Sequence, residues 1–124
     1  MKFAGVCLIA EHTPTLAVFY QALFGEEGHW EGEEHFNFPG TGLAIFSVKG
    51  TEEMAPGSMK GAGSGKAVLS FDVADVDFLV DKLQDLGAQI VKPPQTHPWG
   101  LRSVWIRDPE GNILSLRCPA KQQG

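Results

Sequence analysis

The side chains here best able to ligate a metal or move a proton are four histidines, and their spacing does not gather them. His12 stands beside a helix start, His29 in a turn region and His97 in a segment flanked by proline and glycine. His35 follows Glu33 and Glu34, yet strand alternation sets it on the face opposite Phe36 and Phe38. Each reads as a surface or capping histidine. Cys7 and Cys118 both fall in apolar strands and read as buried free thiols, too few for a disulfide framework. No Gly-x-Ser-x-Gly elbow, phosphate loop or dinucleotide glycine pattern occurs, and Gly61-Ala-Gly-Ser-Gly65 lacks the strand–helix frame of a phosphate loop. What remains is aromatic. Trp105 reads as a stacking surface for a planar ligand, worth ~0.5–1.5 kcal/mol beyond its area burial, or else as core or interface packing. Trp99 reads as a lid, Phe36, Phe38 and Phe46 as ligand walls, and Arg102 as either a ligand contact or an anchor of its own loop.

The elements that must position these residues come in two copies. A strand over residues 3–10 leads through Thr13 into a helical stretch ending at Gly25, and a strand over Ala67–Val73 leads through Asp75 into another ending at Gly87, an offset of 62 residues. Leu16, Phe19, Tyr20, Leu23 and Phe24 form one amphipathic face, with Thr13-Pro14 as its hydroxyl cap and first-turn proline. Pro39–Phe46 later corresponds loosely to Pro109–Ser115, with Gly42 and Gly111, and Phe46 and Ser115, at a wider offset of 69. Two copies of one supersecondary unit are expected, each βαβββ, giving an α+β fold of curved mixed sheets with a cleft. The chain of 124 residues is read as a single domain over 1–124: unit one 3–48, a glycine-rich linker 49–65 and unit two 66–118. The segment Pro93–Gly100 is an insertion in the second copy.

Each helix must cover one face of its own sheet, which leaves the other face for a ligand or partner. In the last strands Leu114, Leu116, Val104 and Ile106 suit the helix side, so Ser103, Trp105, Arg107, Ser115 and Arg117 point away from it. The 69-residue offset transfers Phe36, Phe38, Ala44 and Phe46 to the same open face, and Val6, Leu8, Val68 and Ser70 join it. Aromatic and apolar walls with scattered polar groups are the make-up of an organic-ligand pocket.

Charge narrows the partners. The net charge of −5 comes from the first copy, mostly from a hairpin over residues 26–34, which disfavours nucleic acid. That acidic hairpin reads as a solvated face or as a mild attraction for a cationic or neutral ligand. No apolar run approaches the ~20 residues of a membrane span, so a cytoplasmic protein with no membrane partner is expected.

A repeated βαβββ unit whose second copy ends in Asp108-Pro-Glu-Gly-Asn-Ile-Leu-Ser-Leu116 resembles the vicinal oxygen chelate superfamily, which includes glyoxalases, dioxygenases and bleomycin-resistance proteins. Trp99-Gly-Leu-Arg102 is most similar to the antibiotic-binding, resistance branch. The resemblance implies that metal enzymes of the family would take ligands at Val6, Phe46, Val68 and Ser115. Valine and phenylalanine have no lone pair to offer and serine is a poor ligand for transition metals, so neither metal nor cofactor is expected. Two functions compete. One is a metal-free homodimer that sequesters an aromatic or amphipathic small molecule through Phe36, Phe38, Phe46, Val68, Trp99, Arg102, Trp105 and Ser115, with no catalytic residue. The other is a lyase, isomerase or dioxygenase working through non-standard ligands.

Overall fold

The computed structural model describes residues 1–63 and 66–121. The first unit, Met1–Ala62, holds β1 (Val6–Ala10), α1 (Thr13–Phe24), β2 (His29–Glu31), β3 (His35–Phe38), β4 (Leu43–Ser47) and α2 (Val48–Met54). The second, Gly63–Gly124, holds β5 (Val68–Asp72), α3 (Val76–Asp85), β6 (Gln89–Thr96), β7 (Leu101–Arg107) and β8 (Ile113–Pro119). Strand orders are β1-β4-β3-β2 and β5-β8-β7-β6. In each sheet the first strand pairs in parallel with the last, and the remaining pairs are antiparallel. Both units are therefore βαβββ, and the fold is α+β.

In the second unit the expected faces hold. Leu69 and Phe71 pair with Leu114 and Leu116, while Val68, Ser70 and Asp72 pair with Ile113, Ser115 and Arg117. The fully buried Val76 and Leu83 of α3 lie on the side of Val104, Ile106, Leu114 and Leu116, all at zero exposure. Asp75 caps α3, its Oδ1 accepting from the N–H groups of Asp77 and Phe78 at 3.0 and 3.2 Å. The turn between β7 and β8 is held by Asp108, whose Oδ1 accepts from the Glu110 and Asn112 N–H groups at 2.9 and 3.0 Å.

The first unit departs from the expected faces, and the cause is one residue of loop length. Phe38 opposite Leu43 encloses residues 39–42, whereas Arg107 opposite Ile113 encloses 108–112. The shorter hairpin shifts β3 by one position against its counterpart, and a one-residue slip flips every side chain of a strand. Phe36 and Phe38 consequently sit with Ile45 and Leu43 on the α1 side, buried at 4% and 0% exposure. They join a run of ring contacts from Trp30 through Phe36, Phe38 and Phe24 to Tyr20, with centroids 5.1–5.3 Å apart. His35 and Asn37 take the open face instead.

A second slip has the same effect on β1. The cap of α1 is His12, not Thr13: its Nδ1 accepts from the Thr15 N–H at 3.3 Å. The helices thus start 63 residues apart, and the equivalent buried positions are Tyr20 and Leu83. Val6 and Leu8 pair with Leu43 and Ile45 on the helix side, leaving Cys7 and Ile9 on the open face. Cys7 is accordingly exposed, against expectation, while Cys118 is buried.

Two connecting segments are more ordered than their composition suggests. The linker opens with α2, capped by Ser47 Oγ accepting from the Gly50 N–H at 2.8 Å. The Pro93-Pro94 segment belongs to β6, where prolines are tolerated because β6 is an edge strand with register shifts on either side of Lys92. No helix among the described residues is long and apolar enough to cross a membrane.

Candidate functional site

The open face of the second sheet carries a cavity of about 540 Å³, within the usual range for small-molecule sites. Cross-strand pairing sets its floor. Ser70, Ser115, Trp105 and Lys92 form one row across β5, β8, β7 and β6, and Asp72, Arg117, Ser103 and Gln95 form the next, of which Arg117 and Ser103 line the cavity. Val68 and Leu101 add apolar wall. Every lining residue belongs to the second unit.

The rim is the turn between β6 and β7. The His97 N–H donates to the Leu101 carbonyl at 2.7 Å and the Gly100 N–H to the His97 carbonyl at 3.1 Å. Gly100 closes the turn at φ +89°, a conformation that favours glycine. The turn lays the His97 ring flat on Trp99, with centroids 4.5 Å apart and planes 3° from parallel. Trp99 remains 70% exposed, so a wide aromatic surface overhangs the cavity.

Below it lies a polar group around Ser103, which is 5% exposed. His97 Nε2 is 3.0 Å from Ser103 Oγ, and Lys92 Nζ donates to Ser103 Oγ and to the Ser103 carbonyl at 3.3 and 3.4 Å. Partial burial holds the Lys92 ammonium below the usual lysine range, and the nearby Arg102 charge pushes the same way. Across β8, Arg117 Nε donates to Asp72 Oδ1 at 2.9 Å in an exposed ion pair. Among the described residues no carboxylate lines the cavity.

Trp105, Trp99, Val68 and Ser115 are thus brought together at one site. Phe36 and Phe38 are core residues of the first unit. Phe46 does occupy that unit's open face, but its ring packs where a Cβ on Gly50 of α2 would stand, with His35 edge-on at 5.6 Å. Arg102 is turned away from the cavity: Nε and Nη2 donate to the two Asp77 oxygens at 2.7 and 2.8 Å, and Nη1 to Thr96 Oγ1 at 3.0 Å. It fastens β7 to α3, and its guanidinium holds the Asp77 carboxyl below the usual carboxylate range. Sequence reasoning passed over Lys92 and His97. The signal for Lys92 was its place beside Trp105 on alternating strands, obscured by the irregular register of β6; His97 reaches the cavity only through the turn.

The residues at the family's metal-ligating positions do not suit a transition metal. Val68 and Ser115 line the cavity without imidazole or carboxylate, Phe46 lies under α2, and Val6 faces α1. In the first unit Glu31 sits between His29 and His35, 3.4 and 3.3 Å away through its two different oxygens. Among the described residues no three His, Cys, Asp or Glu side chains gather as a metal-holding group.

A family model described as the Glyoxalase/Bleomycin resistance protein/Dioxygenase superfamily matches residues 2–116. Among solved structures, a glyoxalase/bleomycin resistance protein/dioxygenase family enzyme from Burkholderia phytofirmans PsJN is similar with a TM-score of 0.83 at 20% identity, covering 94% of this chain and 97% of that one. A glyoxalase-related enzyme from Fulvimarina pelagi gives 0.79 at 23% identity, covering 94% and 87%. TioX from Micromonospora sp. ML1 gives 0.70 at 21% identity, covering 96% of this chain and 99% of that one. No curated protein matches the sequence at a significant level.

Proposed function

The chain belongs to the Glyoxalase/Bleomycin resistance protein/Dioxygenase superfamily, and from that premise we propose that it captures a small planar organic molecule on the open face of its second sheet. The observation that carries this reading is the convergence of Trp99 and Trp105 on one cavity of about 540 Å³ with Val68 and Leu101 as apolar wall. Capture needs no bond made or broken. Planar ligand area replaces water against the two indoles, and each stacked ring contributes about 1–3 kcal/mol. A metal-dependent lyase, isomerase or dioxygenase would draw its cation from positions that here hold Val68 and Ser115, so the donor set favours binding.

The homodimer expected from the family resemblance is part of this reading. Val68 and Trp99 are 40% and 70% exposed, and a second copy would shelter such apolar surface. Sedimentation across micromolar concentrations should show a dimer, and a monomer throughout would remove that part.

The binding reading is tested by titrating the intact protein with neutral planar bicyclic compounds such as 2-naphthylmethanol while following tryptophan fluorescence. Saturable quenching is expected. Unchanged fluorescence and no heat of binding up to millimolar ligand would overturn the proposal.

A further inference from the structure

The Lys92, His97 and Ser103 group lies at a cavity whose described lining holds no acid, although the chain as a whole is acidic at −5. Lys92 has no carboxylate partner among the described residues; it donates to Ser103, at 3.3 and 3.4 Å, beyond the usual 2.7–3.2 Å for N–H···O. Arg117 lines the same cavity but is ion-paired with Asp72, and Arg102, held by Asp77, is still near enough to disfavour the lysine's charged form. A partly desolvated ammonium whose own partners are long and neutral is short of a counter-charge. Ser103 Oγ accepts from Lys92, and its single proton is shared between His97 Nε2 and the cavity according to the imidazole tautomer. Ammonium, hydroxyl and imidazole thus converge from β6, β7 and the rim turn beside the two indoles.

We propose that Lys92, Ser103 and His97 form an oxyanion subsite, so that the ligand class of this cavity is a planar aromatic carboxylate. This rests on the binding reading above and adds the ligand's charge to it. The aromatic plane lies against Trp105 and Trp99. The carboxylate completes the shell of Lys92, and charge-assisted hydrogen bonds of this kind are roughly twice as strong as neutral ones. General attraction does not explain such a preference, because a net charge of −5 repels anions at long range.

The test compares three ligands on one frame, 2-naphthoate, 2-naphthylmethanol and 2-naphthylmethylammonium, by calorimetric titration of the intact protein. The wild type is expected to bind the carboxylate about tenfold or more tighter than the alcohol, and the ammonium weakest. Lys92→Met and, should that variant fold poorly, Lys92→Gln are expected to bring the carboxylate-to-alcohol ratio near one. Ser103→Ala should give an intermediate ratio. Equal binding of carboxylate and alcohol by the wild type overturns the subsite and leaves the cavity reading standing, as does a preference that survives both lysine variants. Absence of binding by all three ligands overturns both.

Discussion

Replacing Trp105 with alanine should cost binding more than folding, and replacing Phe38 with alanine should do the reverse. Phe38 has zero exposure, and its ring meets Phe24 at 5.3 Å and Phe36 at 5.1 Å on the α1 side. Truncating a buried phenylalanine leaves a cavity, at about 3–5 kcal/mol of stability. Trp105 is only half-buried and lines the site between Ser115 and Lys92 on the sheet face away from α3. Its loss removes area already shared with solvent, so about 1–2 kcal/mol of stability is expected. Binding loses a whole stacking surface, about 1–3 kcal/mol, or roughly 5- to 150-fold in Kd. Urea unfolding measures the first quantity, and calorimetric titration with 2-naphthoate measures the second without relying on the deleted fluorophore. If Trp105→Ala unfolds as readily as Phe38→Ala while the folded fraction binds normally, Trp105 is a core residue. If Phe38→Ala weakens binding without losing stability, the face assignment of β3 is wrong.

Three further changes probe the frame. Thr13 Oγ1 is buried without a hydrogen-bond partner among the described residues, so Thr13→Val, close in shape, should raise stability by about 1 kcal/mol in urea unfolding; a loss of that size would reveal a bond to the hydroxyl. A Cβ on Gly50 would clash with the Phe46 ring, so Gly50→Ala should cost about 1–3 kcal/mol by the same assay, and a neutral result would show that the ring moves freely. The Asp77 carboxyl is lowered chiefly by its hydrogen bond from Arg102, so its contribution is present above the ordinary aspartate pKa of about 4 and lost as pH falls through the lowered value. The stability advantage of wild type over Asp77→Asn should therefore be full at neutral pH and vanish below that range, and an advantage that does not change with pH would contradict the pairing.

Much of the fold was legible because the repeat is carried by local signals. Gly25 ends α1 at φ +65° with its N–H bonded to the Gln21 carbonyl at 2.9 Å, and Asp108 builds the turn between β7 and β8 from its own side chain. The faces of the second sheet followed from alternation alone, which is why Trp105, Ser115 and Val68 were placed on the open side. What alternation does not carry is register between copies. A hairpin shorter by one residue and a helix capped by His12 moved β3 and β1 by one position each, and Phe36, Phe38 and Val6 changed faces together. Arg102 went to Asp77 because β7 passes beside the start of α3, a tertiary neighbour that strand parity does not register. His97 was invisible for the converse reason, since its reach depends on the backbone of a turn.

The central claim is that a planar ligand binds on the second sheet, and amide and indole chemical shifts of the intact, nitrogen-15-labelled protein test it directly. On titration with 2-naphthoate, saturable shifts are expected at Val68, Ser70, Lys92, Ser103 and Ser115, and at the indole N–H groups of Trp99 and Trp105, with Trp30 unmoved. Saturable shifts centred instead on His35 and Phe46 of the first sheet, or none at all, would contradict it.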